Sequence, residues 1–176
     1  MRQDRLRRIQ DVLNSEDHAT TRNKKRQPDW EADLAYVLEG GGEPIPVTVV
    51  ADLLTEDVAT GRKYAFELKA PLPNSDQTKV SKEKMLKLMA MDEQPVEMAY
   101  FALVYNPYGR RQDYSWSFPK RWFSLEKDRS WLIGDEFWDF LGGQGTYECF
   151  IEEIGKLGHE YKNIIYKKYL NIDPIE

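Results

Sequence analysis

Soft metal ligands and long apolar stretches are scarce in this chain of 176 residues. It has one cysteine and two histidines, too few for a disulfide framework or a structural zinc site. The lone cysteine, Cys149, fits a reducing compartment, so we expect a cytoplasmic protein. The longest apolar run covers residues 98–105, whereas a membrane-spanning helix needs about 20 apolar residues. We therefore expect no membrane partner.

Several motifs of common enzyme classes are also missing. The sequence has no Gly-x-Ser-x-Gly nucleophile motif and no dinucleotide-binding fingerprint. Three consecutive glycines, Gly40 to Gly42, are not followed by the Gly-Lys-Ser/Thr of a phosphate-binding loop. They are typical of a helix stop. These absences argue against serine hydrolases, phosphate-loop nucleoside triphosphatases and dinucleotide-dependent enzymes.

The charge is acidic in total but unevenly distributed. The net charge is −5 at pH 7, which argues weakly against non-specific nucleic-acid binding. Residues 62–87 nevertheless carry seven Lys or Arg and three Asp or Glu, and residues 108–129 carry six and three. This layout predicts a basic face opposed by an acidic remainder of the surface. The alternative, an ordinary solvated surface with chance segregation of charge, stays open.

Hydrophobic periodicity and turn residues predict a mixed α/β domain. Helices are predicted over residues 1–14, 29–38, 76–91 and 135–141. One or two further helices are predicted over residues 146–170, interrupted near Gly155 and Gly158. Strands are predicted over residues 47–54, 63–69, 98–105 and within 114–123. Ser75 or Asp76 is expected to cap the third helix, and the strand over residues 98–105 is expected to be central and buried.

Two acids and a lysine stand out in the first predicted hairpin, VTVVADLLTEDVATGRKYAFELKAP. Asp52 lies near the end of the first strand, and Glu67 and Lys69 lie on the second. Side chains alternate along a strand, so Glu67 and Lys69 share one face while Leu68 points to the other. The short connection makes the strands antiparallel. In simple register, Asp52 and Glu67 come together near one end of the hairpin.

Such a group suits metal-assisted hydrolysis of a phosphate ester. Two neighbouring carboxylates are costly without a cation, and oxygen ligands at this density suit Mg²⁺. The ion would activate water and stabilise the charge that grows on a phosphodiester. We expect Lys69 to stay charged beside the carboxylates, to orient the water and to stabilise the transition state. On these residues alone, an edge hairpin with a surface ion pair remains an alternative.

The same segment resembles the PD-(D/E)xK nuclease superfamily, with Asp52 as the first acid and Glu67-Leu68-Lys69 as the E-x-K. Two stretches, FELKAPLPNSDQTKVSKEKMLKLMAM and GDEFWDFLGGQGTYE, look like type II restriction endonucleases of the TdeIII kind. The resemblance covers roughly residues 29–170. It departs from the superfamily pattern at Ala51, where a proline often precedes the first acid.

This resemblance implies a restriction-endonuclease-like fold, a mixed β-sheet flanked by helices. It divides the chain into an N-terminal helix and basic linker over residues 1–28 and a nuclease-like domain over residues 29–176. It also implies a homodimer that hydrolyses double-stranded DNA at a short G/C-rich palindrome. Mg²⁺ would be held by Asp52, Glu67 and the carbonyl of Leu68.

Six other residues are weaker candidates for the same site. Glu31 and Glu39 lie on the helix before the hairpin, where related nucleases often place a further carboxylate; solvated helix charges are the alternative. Gln77 and Lys79 lie at a helix start that could contact a scissile phosphate, or serve as a cap and a surface lysine. Arg110 and Arg111 follow a strand and turn, where arginine could read guanine, or simply be exposed.

Two other functions stay open at this point. One is a nuclease of the same superfamily that acts in DNA repair or recombination. The other is a truncated or inactive protein that binds DNA without cutting it.

Overall fold

The computed structural model describes residues 1–17 and 26–172. It comprises two compact units, Met1–Ile133 and Gly134–Glu176. The boundary that the resemblance suggests after residue 28 lies inside the first unit and stays a prediction. Much of the predicted basic linker, residues 18–25, lies outside the described residues. In the described part of the chain, no helix has the length and apolar character needed to cross a membrane.

Within its described residues, the first unit contains three helices, four strands and two short 3₁₀ turns. Its elements in chain order are α1 (Gln3–Glu16), α2 (Trp30–Leu38), β1 (Leu53–Glu56), β2 (Lys63–Lys69), α3 (Ser75–Met89), β3 (Met98–Leu103), the turns Arg111–Asp113 and Pro119–Arg121, and β4 (Trp131–Ile133). The second unit is helical: α4 (Asp135–Gly142), α5 (Thr146–Ile165) and a π-helical segment, Tyr166–Leu170.

The four strands form one mixed sheet in the order β1-β2-β3-β4. β1 pairs with β2 antiparallel, whereas β2, β3 and β4 run parallel. Parallel neighbours need a crossover connection, and α3 supplies it between β2 and β3. The predicted fold class, a mixed sheet flanked by helices, is therefore confirmed, and so is the central, buried position of β3.

Aromatic side chains fill the core between the sheet and the helices. Phe101 on β3 stacks on Phe123 with ring centroids 4.9 Å apart and meets Trp131 edge-on at 5.9 Å. Trp30, at the start of α2, also stacks on Phe123, with ring centroids 6.4 Å apart. All four side chains are fully buried. This packing fixes which face of β3 points into the core. Because β2 pairs with β3 in parallel, the orientation of β2 is fixed as well.

The first predicted strand, residues 47–54, is mostly wrong, because the ladder covers only Leu53–Glu56. The register pairs Leu53 with Phe66, so Lys69 at the end of β2 would lie opposite residue 50. β2 therefore offers no partner to the residues before that point. Val47 and Val49 are extended-chain residues that pack, half-buried, against the core instead.

Other sequence predictions also differ from the structure. No strand forms within residues 114–123, where Pro119 lacks the N–H of a ladder and opens a 3₁₀ turn. The helix over 146–165 runs through Gly155 and Gly158 without a break, since an isolated glycine weakens a helix by only about 1 kcal/mol. The cap of α3 is Asn74, whose side chain accepts a hydrogen bond from the Gln77 N–H.

Candidate active site

The hairpin of β1 and β2 brings Asp52 close to Glu67. Phe66, the partner of Leu53 in the β1–β2 ladder, also accepts a hydrogen bond at its carbonyl from the Asp52 N–H, at 3.1 Å. The Asp52 carboxylate then accepts a hydrogen bond from the Leu68 N–H at 2.9 Å. Asp52 lies just before the first residue of β1, and its side chain turns toward the end of β2.

The ammonium of Lys69 joins the two acids at one point. Its Nζ lies 3.1 Å from Asp52 Oδ2, 3.5 Å from Glu67 Oε2 and 3.0 Å from the Leu68 carbonyl oxygen. The structure thus brings together the four residues singled out in the sequence. Three oxygen atoms, one each from Asp52, Glu67 and Leu68, thus surround the ammonium group of Lys69.

The two acids differ in their exposure. The Glu67 side chain is 2% exposed, whereas that of Asp52 is 39% exposed and that of Lys69 is 19% exposed. Partial burial opposes ionisation of Asp52, but the hydrogen bond and charge of Lys69, with the Leu68 N–H, hold its pKa below the ordinary value. Asp52 is therefore ionised at neutral pH and partly open to solvent.

A second lysine, missed in the sequence, also contacts the buried acid. Lys84 on α3 donates to Glu67 Oε1 at 2.7 Å and to Oε2 at 2.9 Å. Lys84 lies seven residues, almost two helical turns, after Gln77. That spacing places both residues on the same side of α3, so the sequence could have suggested Lys84 as a neighbour of the site. The sequence could not show that this side faces β2.

The oxygens of this site fit a hard divalent cation. Within residues 1–17 and 26–172, no three His, Cys, Asp or Glu side chains gather as a metal-binding group. A cation here would thus have two carboxylates and one carbonyl as protein ligands. Mg²⁺ commonly binds in this way, with one or two carboxylates and several waters.

The two further candidate carboxylates, Glu31 and Glu39, do not lie beside Asp52 and Glu67. Glu39 follows α2 and pairs with Arg8 of α1 at 3.0 Å. Glu31 is exposed in the first turn of α2. Since the described residues contain no cluster of three such ligands, neither Glu31 nor Glu39 joins Asp52 and Glu67.

Gln77 and Lys79 already have structural contacts. Gln77 forms a capping box with Asn74: its N–H donates to the Asn74 side chain at 2.8 Å, and its Oε1 accepts from the Asn74 N–H at 3.0 Å. Lys79 pairs with Asp17 at 2.7 Å. These contacts match the alternative of a cap and a surface lysine, and they leave the DNA-binding role a prediction.

The two arginines after β3 lie in different surroundings. Arg110 is exposed at the start of the Arg111–Asp113 turn. The guanidinium of Arg111 donates to the carbonyls of Leu125, Asp128 and Trp131 at 2.6–3.0 Å. Arg111 thereby binds the loop before β4 and the first residue of that strand, whereas the side chain of Arg110 is exposed to solvent.

The chain is similar to known restriction enzymes. HgiCII, a Type II restriction enzyme from Herpetosiphon aurantiacus, is 30% identical over 113 residues, which cover 62% of this chain and 41% of that protein. HgiEI from the same organism is 31% identical over 102 residues, which cover 56% and 36%. The chain thus spans less than half the length of these curated relatives. No solved structure gives a significant match.

A family match covers more of the chain than these pairwise similarities. Residues 1–158 match the family described as "Type II restriction endonuclease, HinfI". The matched range contains the hairpin, α3 and the whole candidate site. The chain therefore belongs to the family of Type II restriction endonucleases of the HinfI type.

Proposed function

We propose that this chain is an endodeoxyribonuclease of the restriction type, which hydrolyses phosphodiester bonds of double-stranded DNA with Mg²⁺ as cofactor. The observation that carries the proposal is the convergence of Asp52, Glu67 and the Leu68 carbonyl on one cation, the ammonium of Lys69. Family membership supports the same activity. The related HgiCII and HgiEI are Type II restriction enzymes.

The residues of the hairpin have separate tasks in this reaction. Asp52, Glu67 and the Leu68 carbonyl would hold Mg²⁺, which lowers the pKa of bound water and stabilises charge on the phosphate. Lys69 orients the attacking water and stabilises the negative charge of the transition state. The water oxygen would bond to phosphorus as one phosphorus–oxygen ester bond breaks; the water would lose a proton to solvent, and the departing ester oxygen would take one from solvent to form a hydroxyl. Burial of Glu67 keeps its carboxylate in a fixed position.

The proposed DNA contacts lie on the start of α3 and after β3. Lys79 and the side-chain amide of Gln77 are the proposed contacts to a phosphate at the N-terminus of α3. Arg110, being exposed, is better placed than Arg111 to reach a base edge. The proposed target is a short G/C-rich palindrome, as the likeness to enzymes of the TdeIII kind implies. The proposed place of action is the cytoplasm.

We also propose that the active form is a homodimer built through α5. Apolar side chains at coiled-coil spacing, Ile154, Leu157, Tyr161 and Ile164, are each about half exposed. Residues 146–155 carry three glutamates and no lysine or arginine, and residues 161–170 carry three lysines and no acid. An antiparallel second copy would thus set acidic halves against basic halves.

The decisive experiment is digestion of plasmid DNA with Mg²⁺ by the full chain. Discrete bands are expected from the wild type, and loss of cleavage by at least about 100-fold from Lys69→Ala. Val58→Ala is the matched control, because Val58 is fully exposed in the turn of the same hairpin. It is expected to cut like the wild type.

Other outcomes would select the other functions. Random or structure-selective cutting would point to a repair or recombination nuclease. DNA retardation on a gel without cutting would point to an inactive DNA-binding protein. Equal cutting by the wild type and Lys69→Ala would overturn the site assignment.

A further inference from the structure

Glu67 has a second cationic contact that the proposed chemistry does not use. Lys84 Nζ lies 2.7 and 2.9 Å from the two Glu67 carboxylate oxygens, so it contacts the whole carboxylate. Lys69 reaches only Oε2, at the longer distance of 3.5 Å. Lys84 is therefore the main counter-charge of the buried acid in the protein without metal.

Burial makes this counter-charge necessary. The Glu67 side chain is 2% exposed, and an ionised carboxylate removed from water is costly unless a cation or several hydrogen bonds compensate. The three contacts described for its two oxygens all come from the ammonium groups of Lys69 and Lys84. A divalent cation bound to Glu67 would supply the same compensation and would repel both ammonium groups.

We propose that Lys84 is a positioning residue that holds Glu67 in the metal-free protein and competes with the divalent cation for it. The proposal rests on the proposed function, because it takes Glu67 as a metal ligand. The Lys84 ammonium, in contact with both carboxylate oxygens, holds the buried Glu67 side chain in place before metal arrives. Its charge then sets how much divalent cation is needed to load the site.

The other lysines of α3 have different contacts, which makes the role specific to Lys84. Lys82 is fully buried and binds Glu16 and Asp33. Lys87 pairs with Glu83 one turn earlier on the same helix, at 2.7 Å. Lys87→Met is therefore a matched control: it removes a paired lysine from the same helix without touching Glu67.

The expected effect has a definite sign. In Lys84→Met the buried carboxylate loses its main counter-charge, so the metal-free protein is less stable and binds divalent cation more tightly. Removing a unit charge next to the ion is expected to lower the metal dissociation constant by about tenfold or more. Lys84→Arg keeps the charge and is expected to stay within about threefold of the wild type.

The test is calorimetric titration of the full chain with Mg²⁺ and with Ca²⁺, in the absence of DNA, together with thermal unfolding. Tighter binding by Lys84→Met, with Lys87→Met and Lys84→Arg near the wild type, would support the proposal. If Lys84→Met does not fold, Lys84→Gln answers the same question, since it removes the charge and keeps one N–H donor.

Unchanged or weaker binding by the charge-removing variant would overturn the role of Lys84 and leave the metal site standing. The proposed function fails differently. In that case the wild type binds neither ion, or Asp52→Asn binds as tightly as the wild type. The two failures are thus distinguishable in one set of titrations.

Discussion

Asp52 and Lys69 are 17 positions apart in the chain, yet their side chains meet in a 3.1 Å ion pair. The antiparallel register of β1 and β2 accounts for this meeting, since it places residue 52 beside the end of β2. The pair is partly open to solvent, so its contribution to stability is small. Its effect on the charge state of Asp52 is nevertheless measurable.

Lys69→Met is expected to raise the pKa of Asp52 toward its ordinary value of 3.8, because the main ionic partner is removed. Carboxyl ¹³C NMR titration of the two proteins measures the change. The lowered pKa in the folded wild type stabilises the fold above pH 3.8, and this contribution fades as the pH falls through the lowered value. An Asp52 titration that is identical in the two proteins would contradict the ion pair.

Lys82→Met is expected to lower the free energy of unfolding by about 3–5 kcal/mol, as for other buried ion pairs that lose one member. The Lys82 ammonium binds Glu16, Asp33 and the carbonyl of Trp122 at 2.7–2.8 Å and is fully buried. Its loss leaves two buried acids without this cation. Urea unfolding measures the effect. The surface change Lys87→Met is expected to cost less than about 1 kcal/mol, and an equal loss in both variants would contradict the prediction.

Glu16 is expected to make the fold less stable as the pH rises from 4.5 toward 8. Burial, opposed by Lys82 and reinforced by Asp33, raises the pKa of Glu16 to about 8. The folded protein then holds a proton that the unfolded chain has lost, so stability falls with rising pH across this window, by up to about 1.4 kcal/mol per pH unit. Glu16→Gln has no titratable group at this position, so its free energy of unfolding, measured with urea at several pH values, should change less with pH. If the free energy of unfolding changes with pH equally in the two proteins, the raised pKa of Glu16 is refuted.

Gly40→Ala is expected to destabilise the protein by about 1–3 kcal/mol, the usual cost of forcing an extra group into a packed region. A Cβ at Gly40 would lie 2.7 Å from the backbone nitrogen of Arg5, at the start of α1, whereas a Cβ at Gly41 would meet nothing within 4 Å. Gly41→Ala is therefore the control and should unfold like the wild type. Thermal unfolding that ranks the two variants in the opposite order would contradict the close approach.

Leu157→Gln is expected to weaken self-association by about tenfold or more, because Leu157 lies mid-way along the apolar face of α5 proposed as the dimer interface. Sedimentation equilibrium over a range of protein concentrations measures this. Val58→Gln changes an exposed apolar residue outside α5 and should leave association unchanged. A wild type that stays monomeric at all concentrations would rule out the proposed dimer.

Local pattern was enough to predict the second strand and the helices around it. β2 has the bounds expected from its residues, Lys63–Lys69, because a run of strand-forming residues between turn residues is a short-range feature of the sequence. The hairpin followed from the length of one connection, and with it the meeting of Asp52, Glu67 and Lys69. The three residues of β4 (Trp131–Ile133) were too few to show any alternation.

The sequence by itself determined the strand alternation that puts Glu67 and Lys69 on one face, the hairpin that delivers Asp52, and the mixed α/β class. Only the tertiary structure decided which side of α3 faces the sheet, and hence that Lys84 contacts Glu67 while Lys82 is buried among other acids. It also decided that Arg111 binds the protein's own carbonyls. The physical reason is range: hydrogen bonds within a hairpin follow from neighbouring residues, whereas the rotation of a helix depends on all the surfaces packed against it.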